Sequence, residues 1–100
     1  MAHVTTTHAE RASFSRRLEL VTRNWEGLIP LAAEWHEWDL NSRMDFLTDW
    51  PVTESYTELL LAMETTLPPD DARTAKLRAL RALIDQNRPI LEELEARIHE

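Results

Sequence analysis

Phe14, Leu18, Val21, Trp25, Leu28, Ala32 and Trp35 follow one another at intervals of four and three residues. That spacing, held for three heptads, puts all seven side chains on one line of an α-helix. The far end of the chain repeats the device. Leu77, Leu80, Ile84, Asn87, Leu91, Leu94 and Ile98 are spaced by threes and fours. Leu31, Trp38 and Ile29 widen the first seam, and Leu83 and Ile90 widen the second. Each seam needs an apolar surface to lie against, which a bundle of helices supplies.

Composition removes the alternatives. One glycine in 100 residues leaves no material for Asn-Gly hairpins, a Walker loop or a GxGxxG turn. An apolar content of 43% is too high for a disordered chain. The absence of cysteine excludes disulfide scaffolds and thiolate metal or redox sites. No apolar run approaches the roughly 18 residues of a membrane span. The N-terminus lacks the order of a signal peptide, so a cytoplasmic setting and no membrane partner are expected.

Residues 1–9 show no periodicity and predict a frayed tail before a single domain over 10–100. The seams predict two long helices, about 10–38 and 70–99. Each contains a proline, Pro30 and Pro89, on the side away from the seam. The apolar register passes both without a phase change, so continuous helices bent around the core are expected. Pro68-Pro69-Asp70-Asp71 stops one helix and starts the next, with Asp70 or Asp71 as its cap.

The middle predicts two further elements. Ser42 to Asp45 resembles a capping box. A short helix over 41–48 would carry Leu40, Met44 and Leu47 on one face, with Phe46 off it. Asp49-Trp50-Pro51 would end that helix, since the residue before a proline avoids the helical region. A helix over 52–66 would follow, with Val52, Tyr56, Leu59, Leu60, Met63 and Leu67 at helical spacing. The expected fold is all-α, a three- or four-helix antiparallel bundle with two long proline-bent helices.

Charge is unevenly placed. Residues 1–25 hold four Arg against two Glu, and residues 70–100 hold six bases against seven acids. Residues 26–69 hold nine acids against Arg43 alone. The overall charge of -7 argues against general nucleic-acid affinity, which needs a basic surface. The acidic block serves solubility or docks a basic protein. The Glu34, Glu37 and Asp39 group sits where a helix end disfavours acids, unless Asp39 caps the next helix.

Catalytic and metal chemistry find little support. His36 and Asp39, or Glu95 and His99, are spaced as two ligands on one helix, but no third and fourth ligand accompany them. The Glu-x-x-His motif of di-iron bundles is missing, with Ala33 and Ala96 at the positions the glutamates would occupy. His3 and His8 lie in the predicted tail. Ser13, Ser15, Ser42 and Ser55 sit in no nucleophile context. No enzymatic activity, cofactor or metal is therefore expected.

The four tryptophans are the unusual feature. Trp25 and Trp35 lie on the first seam and suit a core. Trp38 and Trp50 fall in the acidic stretch, where Trp among polar residues suits an interface. Asn87, on an otherwise apolar seam, either meets its symmetry mate across a dimer or satisfies carbonyls freed by Pro89. The expected contact surface is Trp35, Trp38, Asp39, Asp45, Phe46, Asp49 and Trp50, together with Asn87. The expected function is a self-associating, non-enzymatic helical interaction module, a homodimer that acts as a small acidic adaptor or inhibitor. By composition alone it is antitoxin- or immunity-like. The alternative is a nucleic-acid-linked regulator using Arg11, Arg16, Arg17 and Arg23 with Arg73, Lys76, Arg78 and Arg81.

Overall fold

The first seam folds as a helical run in two pieces, α1 (His8–Glu26) and α2 (Leu28–Glu34), closed by a 3₁₀ turn over Trp35–Glu37. The structure, a computed structural model, describes residues 8–100. The expected tail lies outside the described residues as far as position 7, while His8 and Ala9 already belong to α1. The interruption at Gly27 is a consequence of Pro30. Proline has no N–H to offer the Glu26 carbonyl four residues back. Gly27 itself stays helical (φ -66°, ψ -14°). Its N–H donates to the Arg23 carbonyl at 2.9 Å, and its carbonyl accepts from Leu31 at 3.1 Å. The seam therefore keeps its phase: Val21, Trp25, Leu28 and Trp35 are all buried.

Trp38 leaves the helix in an extended conformation, and Asp39 caps α3 (Leu40–Ala62) by accepting the Ser42 N–H at 2.7 Å. The cap is thus three residues earlier than the Ser42–Asp45 box, and Asp39 belongs to a favourable helix start. A 3₁₀ turn (Met63–Thr65) follows, and then α4 (Ala72–Ala96). Asp71 is the cap here, accepting the Arg73 N–H at 2.8 Å.

The largest correction concerns Pro51. The separate helices 41–48 and 52–66 are one helix, with Pro51 inside it. Pro51 is exposed and lacks only one hydrogen bond on the solvent side. On the inner side, Phe46, Trp50, Thr53, Thr57 and Leu60 are spaced 4, 3, 4, 3 and face the core on both sides of the proline. A continuous packed face outweighs one missing bond. Pro89 likewise lies within α4.

All described elements are helical. Trp35 bonds to Arg97, and Arg73 lies over the Phe14 ring. The first arm and α4 therefore run in the same direction, with α3 opposed to both. One core joins them. Phe14, Val21, Trp25, Leu28 and Trp35 meet Trp50 and Leu60 of α3 and Leu77, Leu80, Ile84, Leu91 and Leu94 of α4.

Candidate functional site

A polar layer crosses the middle of the core. The Trp25 Nε1–H donates to Thr57 Oγ1 at 3.1 Å, and that hydroxyl donates to the Thr53 carbonyl at 2.7 Å. The Asn24 amide donates to Thr53 Oγ1 at 3.0 Å. From α4, Asn87 donates to the Trp25 carbonyl at 3.1 Å, one of the carbonyls beside the Pro30 interruption. Buried polar groups that are all paired hold register, because any slip would leave them unsatisfied. Asn87 is thus used inside the chain, on the Trp25 carbonyl of the first arm rather than on one freed by Pro89.

An aromatic chain runs from this layer toward the end of the bundle. Trp25 meets Trp50 edge to face at 5.0 Å. Trp50 meets Phe46 at 5.6 Å, and Phe46 meets Trp35 at 6.0 Å and Trp38 at 6.4 Å. Trp35 and Trp38 stack at 6.0 Å. The packed face of α3 is thus the one that carries Phe46, while Leu40 and Met44, on the face favoured by their spacing, are 43% and 46% exposed. Trp50 is only 7% exposed, and Trp35 is fully buried. Their ring area is used within the chain, so Trp35 and Trp50 present little of the expected surface, while Phe46 is half-buried. Trp38 is half-buried. Together with Arg23, Gly27, Leu31, Phe46 and Trp50 it lines a shallow cleft of about 310 Å³ between the first arm and α3. The Trp50 Nε1–H has no partner among the described residues.

Arg43, the one base of the acidic block, is buried. Its Nε donates to the Trp35 carbonyl at 3.0 Å, and its Nη1 donates to the carbonyls of Ile98, at 3.1 Å, and Glu100. The guanidinium also lies 5.6 Å from the Trp35 ring centre. Arg43 thereby fastens the chain beyond α4 to the turn that ends the first arm. Between α3 and α4, Arg88 forks onto both carboxylate oxygens of Glu54 at 3.0 and 3.1 Å. It also lies over Trp25 at 5.1 Å, and the Glu54 bond raises its pKa.

The outer face of α3 is the reverse of a core face. Val52 is 59% exposed, Leu59 62% and Tyr56 39%. From α1, Leu20 is 50% exposed and lines a small hollow with Arg16, Arg17 and Tyr56. Asp45 and Asp49 are exposed on α3 toward its N-terminus. Of the apolar residues at helical spacing over 52–66, Leu60 faces the core but Val52, Tyr56 and Leu59 face outward, because Thr53 and Thr57 hold the inner positions. The threonine spacing was there to be read, but the hydroxyl groups hid it from an apolar pattern.

The basic face is partly neutralised. Arg23 pairs with Glu19, Arg73 with Asp71 and Arg81 with Glu64. The guanidinium of Arg73 and its N–H hold the Asp71 carboxyl down to about 2. Hydrogen bonds from Ser42 lower Asp39 in the same way. His36 and His99 are exposed. Among the described residues no three His, Asp or Glu side chains come together as a metal site. No described helix is long and apolar enough to cross a membrane. Compared with known protein families, curated proteins and solved structures, the chain matches none of them.

Proposed function

We propose that the chain is a non-enzymatic helical interaction module that works by self-association in the cytoplasm. One observation carries this reading: Val52, Tyr56 and Leu59 line the outside of α3 with Leu20 beside them, all in water, although the core is complete without them. Scattered apolar residues are ordinary on a surface, but a contiguous stripe on one helix marks a contact site. The acidic block supplies the charged rim that steers a partner and rejects acidic ones. The nucleic-acid alternative is the weaker one, since three of its eight bases already hold carboxylates.

Sedimentation equilibrium at micromolar concentration tests the reading. A species of twice 11.7 kDa is expected, and a lone 11.7 kDa species at every concentration would overturn it.

A further inference from the structure

We infer that the second copy docks on the outer face of α3 in an antiparallel two-fold arrangement centred beside Tyr56, closed at each rim by Asp49 of one copy against Arg16 and Arg17 of the other. This rests on the self-association proposed above and adds the surface and the register.

The stripe is divided along its length. Asp45, Asp49, Val52, Tyr56 and Leu59 are spaced 4, 3, 4, 3 and so share one side of α3. The N-terminal part is acidic and the C-terminal part apolar. A parallel pairing would set acid against acid. An antiparallel two-fold pairing beside Tyr56 instead lays Val52 on Leu59 of the second copy and brings the two Tyr56 rings together at the axis. It also carries Asp49 to the level just past Leu60 of the second copy.

Basic charge waits at that level. Arg17 lines a hollow with Leu60 and Met63, and both Arg16 and Arg17 line the hollow with Leu20 and Tyr56. Arg16, Arg17, Asp45 and Asp49 take part in none of the ion pairs among the described residues, in contrast to Arg23, Arg73, Arg81, Arg88 and Arg97. Arg16 and Arg17 thus lie toward the C-terminal end of the stripe, beside Tyr56, Leu60 and Met63, and Asp45 and Asp49 lie at its N-terminal end, the two ends that an antiparallel two-fold brings together. Leu20, Val52, Tyr56 and Leu59 together offer roughly 400 Å² per copy, about half of the 800 Å² that a stable interface buries on each partner. The charged rim must supply the rest, which makes a reversible dimer whose strength depends on salt.

Charge reversal tests the register. By sedimentation equilibrium, Asp49→Arg alone and the pair Arg16→Glu, Arg17→Glu alone should each weaken association by about tenfold or more. Combining all three changes in one chain should restore it. A wild type that dimerises while neither reversal weakens it, or a combination that fails to recover, overturns this arrangement and leaves self-association standing. A wild type that never dimerises overturns the functional reading itself. These side chains are exposed, so circular dichroism should be unchanged. A second variant works without altering charge: Ser55→Cys, exposed beside the axis, should form a disulfide-linked dimer under mild oxidation. Its failure to cross-link in a dimeric sample also overturns the arrangement.

Discussion

Helices α3 and α4 are nearly equal in length, 23 and 25 residues, and use their apolar residues in opposite ways. In α4, Leu77, Leu80, Ile84, Leu91 and Leu94 are all buried, and the one polar residue on the seam, Asn87, has its partner. In α3 the inner positions include Arg43, Thr53 and Thr57, while Val52, Tyr56 and Leu59 face water. The first helix is explained by the fold of its own chain. The second has an inner side explained by hydrogen bonds and an outer side that the fold does not use. A helix apolar on the side away from its core has a second surface to satisfy.

Leucine truncation should show the contrast at its largest. Leu94→Ala removes a fully buried side chain and should cost about 2–5 kcal/mol in chemical denaturation. Leu59→Ala should stay within about 0.5 kcal/mol when measured at concentrations low enough to separate subunits. Comparable losses would mean that the two helices are not different in kind.

A smaller effect probes the inner side of α3. Thr57→Val keeps the volume and removes the acceptor of the Trp25 indole N–H. Leaving that donor buried and unpaired should cost about 1–3 kcal/mol. A neutral outcome would show that the threonines fill space and do not set register.

The two seams, the helix α4 and the all-α class were legible because α1, α2 and α4 obey the simplest rule, apolar residues inward, although the single helix expected over 10–38 is divided at Gly27 and closes in a 3₁₀ turn. The middle was not, for three physical reasons. Threonine can be buried when its hydroxyl finds a backbone carbonyl and an indole, as Thr57 does, and no apolar pattern records that. Proline need not end a helix whose inner face stays packed, as Trp50 and Thr53 show around Pro51. An arginine can be core when main-chain carbonyls surround it, as they surround Arg43. These same three features hid the candidate surface. Trp38 and Trp50 in an acidic stretch point to a contact on the tryptophans, whereas Trp50 is buried against Trp25 and Phe46. Asp45 and Asp49 are exposed as their part in the expected surface requires, but an apolar pattern alone does not tell which side of α3 Val52, Tyr56 and Leu59 take.

The smallest effect is electrostatic and compares the starts of the two helices. The Asp71 carboxyl is held near 2 by Arg73, and Asp39 is lowered by Ser42. A depressed folded-state pKa adds stability above the unfolded value of about 3.9, and this is lost as pH falls through the folded value. The difference in denaturation midpoint between wild type and Asp71→Asn should therefore be present at neutral pH and vanish between about pH 4 and about 2. A difference that persists unchanged at the lowest pH would mean that the charge of Asp71 contributes nothing.

The central claim is that the outer stripe of α3 belongs to a contact and not to the core. The double variant Val52→Ser, Leu59→Ser measures this directly when its association and its unfolding are followed on one sample. Association should weaken by more than about tenfold, on the order of 1.4 kcal/mol, with helical circular dichroism intact and the unfolding midpoint of the separated chain unchanged. Association that persists at wild-type strength, or a separated chain that loses its cooperative unfolding, would contradict the account.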